Sequence, residues 1–217
     1  MLNKSYKHII FDFDGVLAET NYIRFEGFEL LFKDYPSDQV NRLVQYAMNN
    51  GGISRYEKIR LFFEQIRQEP ISDDCVQFLA KRYSDLVKEK VADAEPVRGS
   101  LEFLNRYHRD YDFAVVSGSD QEELREVCRV RKIDHFFVEI LGSPTAKELN
   151  ITFLLATTGW DKKDCLFVGD SINDYEAAQK NDIDFLARNA GLTDWGSVKV
   201  LSILNDLSEL DSFLKGE

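Results

Sequence analysis

Two carboxylates stand two residues apart at the end of an apolar run, Ile9-Ile10-Phe11-Asp12-Phe13-Asp14-Gly15-Val16. A second apolar run, Asp164-Cys165-Leu166-Phe167-Val168, leads into Gly169-Asp170-Ser171-Ile172-Asn173-Asp174. On a continuing strand Asp12 and Asp14 point the same way over one cleft, where repulsion and partial burial raise one pKa unless a cation intervenes. Asp170 and Asp174 could join Asp12 around one hard cation, since Mg²⁺ takes oxygen ligands and keeps several waters. A plainer reading stands beside each pair: Asp12 and Asp14 end a strand and cap the next element, and Asp170 or Ser171 caps the helix that carries Tyr175. The recurrence of acids at two strand ends in one chain favours the shared cleft.

Such acids need rigid elements to aim them. Apolar runs of strand length recur at His8 to Phe13, Phe113 to Ser117, Phe136 to Leu141, Cys165 to Val168 and Ile183 to Ala187. Helical spacing fills the gaps, at Ser100 to Arg109, Glu122 to Arg131, Lys147 to Thr157 and Tyr175 to Lys180. This alternation predicts an α/β fold, a doubly wound parallel sheet with a Rossmann-like core. Ligands bind such sheets at the carboxyl ends of the strands, where both acidic pairs fall. Leu207, Leu210 and Leu214 predict a last docked helix within Val200 to Leu214.

Between Thr20 and Pro96 the strand signal vanishes. Four apolar stripes replace it: Phe25, Phe28, Leu31 and Phe32; Leu43, Val44 and Ala47; Ile59, Phe62, Phe63 and Ile66; Phe78, Leu79, Tyr83, Leu86 and Val87. Breaks at Tyr35-Pro36-Ser37, Asn49-Asn50-Gly51-Gly52 and Glu69-Pro70-Ile71-Ser72 separate them. The expectation is a helical-bundle cap inserted after the first strand, residues 19–96, on a core built from 1–18 and 97–217.

The 217 residues, 44% of them hydrophobic, suit one core and a smaller unit. The formal net charge is −11, and no run of Lys and Arg interrupts it. Nucleic acid and anionic membranes are therefore excluded as partners, while a few local cations and a metal can still reverse the field inside one cleft. Cys75, Cys128 and Cys165 lie far apart and form no CxxC pair, which points to neither a disulfide framework nor a zinc knuckle. With too short an apolar stretch at MLNKSYKHII for a signal peptide or membrane span, a cytoplasmic protein is expected, monomeric or weakly dimeric.

The DFDGV start, the Ser117-Gly118-Ser119 strand end, Lys147 within Gly142-Ser143-Pro144-Thr145-Ala146-Lys147, and GDSINDYEAA occur in an order and spacing that resemble the haloacid dehalogenase-like hydrolases over essentially the whole chain. The cap position resembles the subgroup of phosphoglycolate phosphatase and β-phosphoglucomutase. The resemblance implies Mg²⁺-dependent hydrolysis of a small phosphomonoester, of phosphoglycolate or sugar-phosphate type. It implies that Asp12 is the nucleophile that becomes an aspartyl phosphate, and that Asp14 is the general acid and base. It further implies that Ser117, with neighbouring amides at Gly118 and Ser119, holds phosphoryl oxygens, and that Lys147 neutralises nucleophile and phosphate. Asp170 becomes a metal ligand beside Asp12 and the carbonyl of Asp14, and Asp174 supports metal and lysine. A carboxylate attacking a phosphate dianion needs its charge cancelled by Mg²⁺ and Lys147. Asp14 must carry a proton when the leaving oxygen departs, so a pKa raised toward neutrality is expected. Its presence favours phosphate chemistry over carbon–halogen cleavage; Lys33 and Lys58 match no Schiff-base context of the phosphonate-cleaving relatives.

Within the cap, Gly51-Gly52-Ile53-Ser54-Arg55-Tyr56-Glu57-Lys58 brings two cations to a helix start. Arg55, in a position resembling the cap arginine of the mutase, could grip a second anionic group by a forked hydrogen bond, with Lys58 beside it. Against this stands a solvated helix face. Glu19 and Thr20 begin the hinge, with glutamate where an aspartate is common. Two other functions compete with the phosphatase: a phosphomutase using the same aspartyl phosphate, and a non-catalytic phosphate-binding protein.

Overall fold

The computed structural model describes residues 5–216. The outermost ends of the expected core segments, residues 1–4 and 217, lie outside the described residues, as does the start of the N-terminal stretch MLNKSYKHII. Six parallel strands form one sheet: β1 (His8–Phe11), β2 (Asp112–Asp120), β3 (Phe137–Ser143), β4 (Cys165–Gly169), β5 (Asp184–Arg188) and β6 (Ile203–Leu204). Their order is β3-β2-β1-β4-β5-β6, so β1 and β4, which lead into the two acidic pairs, lie side by side at the centre. The register pairs Phe11 with Val168, and the Asp12 amide continues it by donating to the Val168 carbonyl at 2.9 Å.

The strands read as continuous apolar runs because both faces are covered. Ile9, Phe11, Val115 and Val168 pack to one side, and Ile10, Ala114, Val116 and Phe167 to the other. On these faces lie α5 (Ser100–Tyr107), α6 (Gln121–Val130), α7 (Lys147–Thr158) and α8 (Ile172–Lys180). The expected last helix over Val200 to Leu214 is a composite. Ile203 and Leu204 pair in parallel with β5 as the edge strand, and only Leu210–Lys215 is α-helical, as α9. Two edge residues are too few to show a period, while Leu207 and Leu210 are buried as the spacing predicts.

Between β1 and β2 run α1 (Asn21–Leu31), α2 (Ser37–Asn49), α3 (Arg55–Leu61), continued by a wider π turn over Phe62–Arg67, and α4 (Asp73–Asp93). Local signals set their starts. The Ser54 and Ser72 hydroxyls accept amides of Glu57 and Cys75, capping α3 and α4. The buried stripe of α4 is Val76, Ala80, Tyr83, Val87 and Val91, and this corrects the expected one. Phe78 is 64% exposed and Leu86 36% exposed, because the face that meets α1 is centred on Tyr83 and Val87. The chain enters and leaves this insert at one place, with Glu19 donating to the Glu95 carbonyl and Val97 to that of Leu17. Among the described residues no helix is long and apolar enough to cross a membrane.

Candidate active site

Asp12 is the first residue beyond β1 and is buried, its Oδ1 accepting the amide of Phe13 at 2.7 Å. Asp170 follows β4, and Asp174 lies one turn into α8. There Asp174 and Ser171 form a reciprocal capping box, side chain to backbone in both directions. The capping reading of this segment and the shared-cleft reading are thus both fulfilled, by the same residues. Carboxylate oxygens of Asp12, Asp170 and Asp174 lie within 4.8 Å of one another. From the start of α7, buried Lys147 reaches Asp12 Oδ2 at 3.0 Å and also bonds Asp174. Asn150 Nδ2 donates to the carbonyls of Gly142 and Thr145, which fixes the loop leading to that helix.

Three buried carboxylates against one ammonium leave an excess of negative charge. Burial and the charge of Asp174 raise the Asp12 pKa, and burial and the charge of Asp12 raise that of Asp170. Burial works to discharge Lys147, but the charges of Asp12 and Asp174 outweigh it and raise its pKa as well. The donor set is oxygen only, anionic and on rigid elements, which suits a hard divalent cation.

Asp14 behaves differently from its expectation. Gly15 follows in left-handed backbone, φ 71°, so the chain turns and no continuing strand carries Asp14 beside Asp12. Its Oδ1 accepts Arg24 Nε at 2.8 Å and the Thr20 hydroxyl, and its Oδ2 accepts the Ser119 hydroxyl. Burial works to raise this pKa, but the Arg24 guanidinium and the two hydroxyls outweigh it and hold it below the usual carboxylate range. The expected rise toward neutrality is therefore corrected for this state. The Asp14 carboxylate also stands apart from the three-acid cluster; the metal role expected of this residue concerned its carbonyl.

The strand end 117–119 closes the same cleft, which is also lined by Asp12, Asp14, Asp170, Arg24 and Lys58 and has a volume of about 60 Å³. Ser117 is buried and its Oγ accepts the Ser119 amide at 3.2 Å. Gly118 touches the cap: a β-carbon there would collide with the carbonyl of Gly52.

Arg55 and Lys58 are both buried, so neither belongs to a solvated helix face. Arg55 lines the cleft, yet its fork is engaged inside the protein. Nη1 and Nη2 reach Glu123 at 2.6 and 3.1 Å, Nη1 also bonds Ser84, and the guanidinium lies over the Tyr83 ring. The forked hydrogen bond expected of Arg55 toward a substrate anion is made here to Glu123. The Lys58 side chain makes no hydrogen bond or ion pair among the described residues, and burial followed by the charge of Lys147 lowers its pKa to about 8.

Sequence reasoning missed Arg24 and Glu123. Arg24 Nη1 bonds Glu123 Oε1, so one buried glutamate of α6 binds two arginines of the insert. Tyr83 donates to the Arg24 carbonyl at 2.6 Å, and Asn21 to Asp170 Oδ2 at 2.7 Å. Arg24 stands one turn before Phe28 on the apolar face of α1, and a cation in that stripe was the available signal.

A sequence model of the haloacid dehalogenase-like hydrolases matches residues 9–188. Phosphoglycolate phosphatase of Pasteurella multocida is 25% identical over 183 residues, covering 80% of this chain and 81% of that protein. Pyrophosphatase PpaX of Listeria monocytogenes is 21% identical over 190 residues, covering 79% and 77%. Among solved structures, the hydrolase YfnB of Bacillus subtilis, bound to magnesium, superposes with a TM-score of 0.72 at 16% identity, over 98% of this chain and 100% of that one. With the family's sequence pattern running from β1 to β5, the chain belongs to the haloacid dehalogenase-like hydrolases.

Proposed function

We propose that the protein is a Mg²⁺-dependent phosphatase that hydrolyses a small phosphorylated metabolite through an aspartyl phosphate on Asp12. The observation that carries this reading is the buried Asp12 carboxylate, held at 3.0 Å from Lys147 inside a ring with Asp170 and Asp174. The names of the Pasteurella and Listeria relatives, and the magnesium in YfnB, support it by analogy.

Asp12, Asp170 and Asp174 would hold the ion. When bound, it supplies charge neutralisation between nucleophile and phosphate. A carboxylate oxygen of Asp12 attacks phosphorus, the bond to the leaving oxygen breaks, and Asp14 gives that oxygen a proton. Asp14 then takes a proton from water, whose oxygen attacks phosphorus. The acyl phosphate bond breaks, which frees inorganic phosphate and restores the Asp12 carboxylate. Lys147 holds the nucleophile throughout. For the first of these steps Asp14 must carry a proton, against the Arg24 guanidinium that works to lower its pKa.

The test is phosphate release from p-nitrophenyl phosphate with Mg²⁺ or with chelator, using Asp12→Asn as the blank. Release that needs both the metal and Asp12 is expected. Equal rates for the wild type and Asp12→Asn would sink the nucleophile assignment, and with a hexose phosphate supplied in its place an isomeric sugar phosphate formed without free phosphate would favour the mutase.

A further inference from the structure

Asp170 enters the buried ring with its placement set by three neighbours. Asn21 Nδ2 donates to its Oδ2 at 2.7 Å, and the Thr193 hydroxyl donates to its carbonyl at 2.7 Å. The third neighbour is the backbone of Gly15. A β-carbon there would lie 2.1 Å from Asp170 Oδ2 and 2.3 Å from Asn21 Nδ2, so the turn after Asp14 packs directly on this carboxylate. The left-handed φ of 71° brings the chain that close. Whatever fixes this turn therefore also fixes the Asp170 carboxylate.

Arg188 holds the turn from the far end of the chain. It is the lone cation closing the strand Asp184-Phe185-Leu186-Ala187-Arg188, where the register pairs Ala187 with Gly169 and so sets Arg188 beside Asp170 at the carboxyl edge of the sheet. Its Nη1 donates to the Gly15 carbonyl at 3.1 Å, while the Gly15 amide donates to the Ala18 carbonyl at 2.8 Å. The same guanidinium forks onto Glu19, Nη1 to Oε2 at 3.3 Å and Nη2 to Oε1 at 2.5 Å. Glu19 is anchored in turn where the chain leaves and re-enters the insert, its amide donating to the Glu95 carbonyl at 2.9 Å. Arg188 is 8% exposed, and its Nε is buried without a partner among the described residues. Buried unpaired donors are rare, so the side chain lies where its two Nη groups are needed and not where all its donors are satisfied.

We infer that Arg188 is a positioning residue for the cation: by holding the Gly15 turn against Asp170, with Glu19 as counter-anchor, it fixes the oxygen that Asp170 offers to the ion. The inference rests on the Mg²⁺ reading of the ring and goes beyond it, since the ion pair of Arg188 is with Glu19 and not with any of the three acids. The sign of its effect separates positioning from charge. As a bare cation near an acidic site, Arg188 repels Mg²⁺ and weakens binding. As a positioning residue it strengthens binding, and outer partners of this kind are worth about 10–100-fold in metal affinity.

The experiment is calorimetric titration of the full chain with Mg²⁺ alone, for wild type, Arg188→Met and Arg188→Lys, each first shown to be folded by its metal-free thermal transition. Arg188→Met is expected to raise the Kd about tenfold or more, although it removes a repelling charge. Arg188→Lys keeps the charge but replaces the planar fork with one ammonium, and is expected to raise the Kd at least about threefold. A Kd lowered or within about twofold of wild type in either folded variant overturns the inference and leaves the Mg²⁺ reading standing. No Mg²⁺ binding by the wild type overturns both. Arg188→Lys retains the charge and most of the packed stem, so it decides the matter even where Arg188→Met fails to fold.

Discussion

Glu123 is a single carboxylate, 4% exposed, that two guanidinium groups share. Burial works to protonate it, but Arg24 and then Arg55 outweigh that and hold its pKa far below the usual range. Removing one partner of a buried ion pair strands the other, at a cost of about 3–5 kcal/mol. Glu123→Gln keeps the shape and some hydrogen bonding, so a loss near the lower end, about 3 kcal/mol, is expected in urea unfolding. A loss under about 1 kcal/mol would mean that water or other groups satisfy the arginines. The sign with pH follows from the lowered folded pKa. The contribution is complete above the unfolded glutamate value, about 4.3, and is lost as pH falls below it toward the folded value. The gap between wild type and Glu123→Gln should therefore narrow below about pH 4, and a gap that widens there would contradict the assignment. Asp12, Asp14, Asp170 and Asp174 were legible in the sequence because acids recur just beyond two apolar strands, whereas Lys147 stood out only through the family resemblance of the four motifs together. Glu123 was not legible, since its partners lie 99 and 68 residues away and only tertiary packing unites them.

Among the elements, the loop from Asn50 to Ser54 shows how the insert reaches the chemistry. Gly52 has φ 78°, and a β-carbon there would lie 2.6 Å from Ser171 Oγ and 2.9 Å from Lys147 Nζ. Asp120 anchors the same region twice, accepting the Glu123 amide at 3.0 Å as the cap of α6 and the Tyr56 hydroxyl at 2.6 Å. Gly52→Ala therefore meets both left-handed strain and a collision with the lysine that holds the nucleophile. The strain falls on a loop that belongs to no strand of the sheet, so kcat/KM should fall about tenfold or more, a barrier increase of about 1.4 kcal/mol, while the melting temperature changes by only a few degrees. Unchanged kcat/KM would show that this loop is no wall of the working cleft. The loop was visible as a paired-glycine break, and the helices around it as apolar stripes, because both are local patterns. What the local pattern misjudged was the face of α4: Leu79, Tyr83 and Leu86 share a helical spacing and Phe78 stands next to Leu79, but α1 covers only the side that carries Tyr83 and Val87. The edge strand Ile203–Leu204 was likewise illegible, since a two-residue pairing draws its stability from β5 and not from its own sequence.

At the scale of the whole molecule the net charge of −11 is concentrated most sharply where the fold can least disperse it. Asp12, Asp170 and Asp174 crowd one buried ring in which the single lysine bonds only Asp12 and Asp174, and burial with mutual repulsion raises the pKa values of Asp12 and Asp170. A cation that binds this ring in the folded chain and not in the unfolded one must stabilise the fold by mass action, by about 2.7 kcal/mol at a concentration one hundred times its Kd. For a chain of this length each kcal/mol moves the melting temperature by about 2–4 °C, so saturating Mg²⁺ should raise it by roughly 5–10 °C. Asp170→Asn separates this effect from general salt screening. Removing one of the mutually repelling charges should raise the melting temperature of the metal-free protein and, with a ligand gone, abolish most of the Mg²⁺ response. An equal Mg²⁺ shift in wild type and variant, or one reproduced by sodium chloride at matched ionic strength, would place the stabilising ion elsewhere on the acidic surface. The same charge that makes the ring costly in isolation thus gives it a measurable dependence on its cation, independent of any substrate.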